Sequence, residues 1–506
     1  MREKYGAFHA AVHMLYEGET LQLAADEDAP SVDPSVFDAV ADLIFKAGGF
    51  DINQVKDPAA RKLMRETANA INRGVDAHLP TDVPDTLRYA LEENGFIFSG
   101  FKTFHAMREI GLSLVNDKGE IKSYSDFQAD VLKLNAKYNT NYLYAEYKHA
   151  IGTCQMAAKW QKIEEDGDRY LLQYRTAQDE RVREEHALMD GITLPPSDPF
   201  WDKYYPPNGW GCRCTAVQVR RGKYTESDPA KAMMIGDNST AALKQQIFRF
   251  NAGKTMQLFP PKHPYFKAPK EAKKVVNEVV QEESEQQRKE RYKAELPTYL
   301  TEAEREAIAQ NCVDIEAAFG VQKGKAMDYD AANKGKENPQ FSKGGGYYVN
   351  CQTCTVTHWL RRLGFDLEAK PNVNKSAYNE MDAQGITWEE RFLNIDGKKI
   401  DYDYTYRWQV RKGYKSMTAT RLKEYFKEKF SADGVYEIYC AWKGGNAHVF
   451  LADVSGGKVR YFDPQSGEDN VSRYIASMKP SRVGVIRIDD KIINPKLKNL
   501  FIKKTK

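Results

Sequence analysis

Apolar residues recur at three- and four-residue spacing from Pro30 to about Lys162. They do so in FDAVADLIFKAG, RKLMRETANAINRG, DTLRYALEEN and a long run from Tyr124 to Ile163, with Gly and Pro between the stretches. This pattern predicts a helical first region. From Tyr170 to Val219 the periodicity stops and Pro, Gly and aromatic residues crowd together, as expected of a loop-rich, tightly specified unit. Between Pro260 and Glu295 charged residues and helix formers surround only a thin apolar stripe, which predicts an exposed helical spacer and marks the best domain boundary. Beyond it the pattern turns mixed. A helix is expected from Cys351 to a stop at Gly364, and a second in TRLKEYFKEKF. Three strand-like runs follow, VYEIYCAW, AHVFLADV and KVRYFDP, joined by turns at Lys443–Gly445 and Ser455–Gly457.

The chain therefore reads as multidomain: a mostly α region over 1–145, a small α+β module over 146–222, a linker and charged helical spacer over 223–298, and a C-terminal α+β domain over 299–506. Its 506 residues exceed one ordinary core, and 42% hydrophobic content is enough to build several. No internal repeat is visible.

Charge and cysteine usage narrow the function classes. Lys plus Arg (74) nearly balances Asp plus Glu (71), so composition makes no global case for nucleic acid or an acidic partner. No run approaches the roughly 20 apolar residues of a membrane span. The N-terminus, MREKYGAFHAAVHMLYEGE, lacks the apolar run and small-residue cleavage site of a secretory signal, so synthesis in a cytoplasm is expected. Seven cysteines, at 154, 212, 214, 312, 351, 354 and 440, are too sparse and odd a set for a disulfide framework. Their clustering suggests chemistry or metal.

Three pieces of the C-terminal region fit a thiol active site. A loop, Gly344 to Asn350, delivers Cys351 to a predicted helix start, where unpaired backbone N–H groups and partial positive charge favour a thiolate. His448 opens one strand as the candidate base, and Asp463 ends the next as the acid that orients it. Fifteen residues across a short turn would set those two side by side. Cys354, one helical turn on, is the alternative nucleophile, and Gln465 is a further polar group for the same site. Trp359, Trp388, Trp408 and Trp442 are either cleft walls or ordinary core aromatics.

Over roughly Tyr329 to Ile488, NCQTCTVTHWLRRLGFDLEAKP and NAHVFLADVSGGKVRYFDPQSG resemble the papain-fold toxin domains of bacterial polymorphic toxins and phage proteins, a group related to glutamine deamidases. The resemblance implies a papain-like cysteine hydrolase with nucleophile Cys351, base His448 and acid Asp463. It implies deamidation of protein glutamine side chains in a host or competitor protein, with an immunity protein as a further partner. Peptide cleavage by the same machinery and a catalytically inactive interaction module are the alternatives.

The middle segment is the most distinctive. Arg175-Thr176, Asp179, Arg181, His186, Asp190-Gly191, Asp198-Pro199-Phe200-Trp201, Pro206-Pro207-Asn208-Gly209 and Cys212-Arg213-Cys214 resemble the Mu F-like phage head morphogenesis family. The resemblance implies a minor head protein in the virion, associated with portal and head proteins, made in the bacterial cytoplasm and delivered with the DNA into the next host. For packaged DNA, Arg220-Arg221-Gly222-Lys223 and the tail IINPKLKNLFIKKTK are the candidate contacts, with solvated surface as the alternative. His186, Cys212 and Cys214 would form a structural zinc site if Asp190 supplied a fourth ligand. In the other reading His186 hydrogen-bonds within a core and the cysteines are buried or redox-active. No other cofactor is expected. Asp179, Arg181 and Arg183 are expected on a helix, as a solvated or internally paired face. His105, His149 and His358 read as satisfied groups on helices and not as ligands.

Overall fold

A computed structural model describes residues 2–17 and 30–503. Parts of the N-terminal leader reading (1, 18 and 19) and the end of the basic tail (504–506) lie outside the described residues. The chain divides into two compact units, Met1–Ser284 and Glu285–Lys506. The three regions read before residue 285 share the first.

The first unit opens with six helices: α1 (Arg2–Tyr16), α2 (Pro34–Lys46), α3 (Pro58–His78), α4 (Asp85–Ser113), α5 (Tyr124–Asn135) and α6 (Leu143–Asp166). Asp33 and Asp57 cap α2 and α3, each with proline at the first helical position, where a missing N–H costs nothing. α4 has little amphipathicity because it is buried on most sides, from Leu87 through Phe98 to Ile110. The run from Tyr124 to Ile163 is broken by a π-helical segment, Ala136–Tyr142, that buries Tyr138 and Tyr142.

A small α+β module follows: β1 (Tyr170–Arg175), α7 (Glu184–Ala187), β2 (Thr193–Leu194), α8 (Phe200–Tyr204) and β3 (Thr215–Arg220). Its antiparallel sheet has the order β2-β1-β3, and its own core gathers Trp160, Tyr174, Trp201, Tyr204 and Tyr205. Next come α9 (Pro229–Ser239), α10 (Leu243–Gln246) and α11 (Ala252–Thr255). α11 lies so close to α6 that a Cβ on Gly253 would sit 2.1 Å from Trp160 Cβ. Gly253→Ala should therefore lower stability by about 1–3 kcal/mol, read from the urea midpoint. An unchanged midpoint would refute this close approach.

The spacer expectation needs correction. α12 (Lys270–Glu295) is a helix, yet Val276, Val279 and Val280 are fully buried in the core of the first unit. Gly100 admits it: a Cβ there would meet Val280 at 2.4 Å. Glu283 pairs with Arg61 (3.1 Å) and Arg65 (2.7 Å), and Phe259 and Tyr265 before the helix are buried as well. A thin stripe of valines is enough for burial when the facing helix offers a glycine. The division between the units falls within this helix.

The second unit begins with α13 (Glu302–Phe319), held by a Thr301–Glu304 capping box and a left-handed Gly320. Then follow α14 (Tyr329–Ala332), α15 (Cys351–Leu363), β4 (Leu367–Ala369), α16 (Ser376–Ala383), β5 (Phe392–Leu393), β6 (Asp403–Tyr404), α17 (Thr405–Arg411) and α18 (Ala419–Lys429). The rest comprises β7 (Gly434–Trp442), β8 (Ala447–Ser455), β9 (Lys458–Asp463), β10 (Glu468–Asp469), α19 (Tyr474–Ser477), β11 (Met478–Arg487), β12 (Ile492–Ile493) and β13 (Phe501–Lys503).

Six strands form one antiparallel sheet, in the order β10-β9-β8-β7-β11-β6. One face, with Val435, Leu451 and Phe462, packs against Val356, Trp359 and Leu360 of α15 and against α13. The other, with Ile438, Phe450 and Ala452, packs against Trp408, Leu422 and Phe426 of α17 and α18. Covered on both sides, β7 is a mainly apolar run interrupted by Glu437. Among the described residues no helix is long and apolar enough to cross a membrane.

Candidate functional site

α15 starts at Cys351 because Asn350 closes its first turn, its carbonyl accepting from the amides of Thr353 (3.0 Å) and Cys354 (3.1 Å). The Asn350 side chain is buried and donates to Asn338 Oδ1 (3.2 Å) and the Lys370 carbonyl (3.1 Å). Gly344 and Gly345 hold φ of +70° and +59°, which lets the preceding loop turn into the helix. At the other end Gly364, φ +112°, approaches the Gly324 carbonyl so closely that a Cβ would lie 2.4 Å from it. Start and stop fall where the sequence placed them.

The sheet brings the other two groups. Pairing of Leu451 with Phe462 sets Asp463 one step further along, on the face that carries His448. His448 Nε2 lies 2.9 Å from Asp463 Oδ2, and the Cys351 thiol is close enough to act electrostatically on the same ring. Asp463 is held in turn by the Gln465 amide on Oδ1 (2.9 Å) and the Tyr474 hydroxyl on Oδ2 (3.1 Å). Trp442 stacks on the imidazole, ring centres 5.8 Å apart and tilted 26°.

Cys351, His448 and Asp463 thus meet. Gln465 joins them at one remove, its side-chain amide donating to Asn350 Oδ1 (3.2 Å). Cys354 is fully buried, and burial pushes its thiol well above the ordinary range. Of the four tryptophans only Trp442 contacts these residues; Trp359 and Trp408 are core, and Trp388 packs on Tyr402.

Burial alone would lower the His448 pKa, but the hydrogen bond to Asp463 and the negative charge of Asp463 and Cys351 raise it to about 10. The charged imidazolium is therefore favoured by folding. Its stabilising contribution is complete below the unfolded value of about 6.5 and is lost as pH rises through about 10. Wild-type stability should thus fall more steeply between pH 7 and 10 than that of His448→Gln, measured by urea unfolding. Parallel curves would refute this linkage.

Sequence reasoning missed a buried support. Arg391 Nη1 donates to the Gln352 carbonyl (2.5 Å) and Thr355 Oγ1 (3.0 Å) in the first turn of α15, and its guanidinium pairs with Glu437 on β7 (2.6 and 3.1 Å). No local pattern marks an arginine whose partner lies 46 residues away. Tyr474 and Asn338 carried no signal either, while Asn350 was visible only as the neighbour of Cys351.

A second cluster lies in the small module. His186, on α7, reaches Cys212 and Cys214, but Asp190 does not join them. Its carboxylate accepts instead from Thr176, amide (2.7 Å) and hydroxyl (3.0 Å), closing the turn after β1. Asp179, Arg181 and Arg183 precede α7 in turns, not in a helix, because Asp179 is held by a bidentate pair with Arg213 (2.5 and 2.6 Å) and Arg183 by the Trp210 carbonyl (2.6 Å). His105 and His358 are buried, bonded to the Tyr265 carbonyl and Glu337, and His149 contacts Thr153.

Residues 119–217, which include this module, match the family described as Phage Mu protein F like protein. That segment is Mu F-like. The chain is 28% identical over 174 residues to the "Mu-like prophage FluMu F protein" of Haemophilus influenzae, covering 32% of this chain and 40% of that protein. It is 32% identical over 92 residues to "Putative capsid assembly protein F" of Escherichia phage Mu, 18% of each. The chain thus spans well under half the length of these relatives. No solved structure matches it. The second unit lies outside the family match.

Proposed function

We propose that this chain is a phage head protein whose second unit is a papain-like cysteine hydrolase, deamidating glutamine side chains of a bacterial protein. The head assignment rests on the Mu F-like segment and on the names of its relatives. It carries the expected partners, portal and head proteins, a place in the virion, and delivery into the next host. The hydrolase assignment rests on one observation: His448 Nε2 is committed to Asp463, which leaves its other ring nitrogen for the Cys351 thiol.

From that arrangement the chemistry follows. His448, as the imidazolium, already holds the proton of the Cys351 thiol, and the thiolate attacks the carboxamide carbon, moving the C=O electron pair onto oxygen. The amides that open the helix, ahead of those of Thr353 and Cys354 that bond Asn350, can stabilise that oxyanion. Collapse expels ammonia with the proton from His448, leaving a thioester. Water, deprotonated by His448, then attacks, releasing glutamate and the thiol. Asp463 keeps the ring oriented and stabilises its charged form.

The test has two halves. Mass spectrometry of purified virions should find this chain, and its absence would end the head assignment. Expression of the full chain in bacteria, wild type against Cys351→Ala, should give glutamine peptides about one mass unit heavier only with the wild type, since an oxygen replaces an NH. New peptide termini would mean a peptidase instead. Identical proteomes would overturn the hydrolase reading.

A further inference from the structure

Three potential metal-donor atoms converge in the small module. α7 carries His186 into the interior, 2% exposed, and the loop entering β3 turns Cys212 and Cys214 towards it. His186 Nδ1 lies 3.6 Å from Cys212 Sγ and 3.7 Å from Cys214 Sγ, and the three atoms all fall within 4.8 Å of one another. The other ring nitrogen, Nε2, is buried with no hydrogen-bond partner. Weak contacts to sulfur on Nδ1 leave Nε2 unaccounted for, where an apolar residue would avoid a penalty of about 1–3 kcal/mol for the orphaned group. Neither sulfur is in a disulfide.

The spacing has a metal-like dimension. With Zn–N near 2.0–2.1 Å and Zn–S near 2.3 Å, the N···S edge of a tetrahedral site is about 3.6 Å. Both observed separations match that edge. Thiolate and imidazole donors together select zinc over magnesium or calcium, which require oxygen.

We propose that His186 Nδ1, Cys212 Sγ and Cys214 Sγ bind one zinc ion, its fourth position open to a small cavity. That cavity, about 10 Å³, is lined by Arg181, Arg183, Gly211 and Arg213 and has room for about one water molecule as the remaining ligand. Two thiolates cancel the charge of the dication, so the site is neutral beside these arginines. Binding releases the two thiol protons to solvent and leaves zinc in its only redox state. The ion would fasten α7 to the entry of β3, two loop-borne pieces with little regular structure between them.

The test uses the full chain, purified without chelator and freed of any histidine tag. Elemental analysis should find about one zinc per chain. Cobalt substituted for zinc should show thiolate charge transfer and the visible bands of a tetrahedral site. Cys214→Ser and His186→Asn should each lose the stoichiometric ion while keeping the wild-type circular dichroism. If a variant fails to fold, zinc and cobalt titration of the wild type decides alone. Wild-type protein with both thiols free that takes up neither metal would overturn the proposal. So would a Cys212–Cys214 disulfide found by mass, or zinc retained undiminished by both variants.

Discussion

Under the proposed function, Cys351→Ala is expected to reduce glutamine deamidation by about four to six orders of magnitude, down to what binding and the remaining electrostatics supply. No other group at that point can form the thioester: Cys354 is fully buried, and burial pushes its thiol upward and away from the reactive form. Cys354→Ala should therefore leave the rate within a few-fold of wild type. His448→Ala should cost about as much as Cys351→Ala, and the double variant little more, because the residues act as one unit. Ammonia release by the full-length variants, with glutamine-peptide mass as a second readout, measures all four. Activity that survives Cys351→Ala and vanishes with Cys354→Ala would sink the assignment.

The second large effect is on stability. Arg391→Ala should destabilise the second unit by about 3–5 kcal/mol, because it strands Glu437 as an uncompensated buried charge. The pair is almost wholly enclosed, at 1% and 0% side-chain exposure, and Tyr402 donates a further short hydrogen bond to the same carboxylate. The same change frees the Gln352 carbonyl and Thr355 hydroxyl, so the start of α15 should loosen and the reactivity of Cys351 fall with it. Arg391→Met combined with Glu437→Leu should recover much of the stability, since an apolar pair leaves no charge behind. Urea unfolding and thiol-labelling rates separate the two consequences. A loss below about 1 kcal/mol would mean that water reaches the pair and screens it.

Much of this was legible along the chain. Helices α2 to α6 follow from three- and four-residue apolar spacing with Gly and Pro between the stretches, and α15 from a loop that ends at Asn350 and a glycine that stops it at 364. The strands carrying His448 and Asp463 were legible too, because period and turn chemistry are local properties of the backbone. What misled was amphipathicity taken as a measure of burial. The stripe on α12 looked too thin to pack, yet Gly100 on a distant helix lets Val280 in. Asp190 looked like a ligand for the cysteines but is drawn to Thr176 by a turn that the spacing of ligand types does not reveal.

By itself, then, the sequence determined which segments become helices and strands, and which residue types stand at their ends: Cys351 at a helix start, His448 and Asp463 on adjoining strands. Only the tertiary structure decided which of those groups meet and what supports them. It set His448 2.9 Å from Asp463, enclosed Cys354, and placed Arg391 beneath the first turn of α15. The physical reason is range. Backbone preference acts over a few residues, whereas a buried charge or a second-rank hydrogen bond is satisfied by whatever the fold brings near it, 46 or 115 residues away.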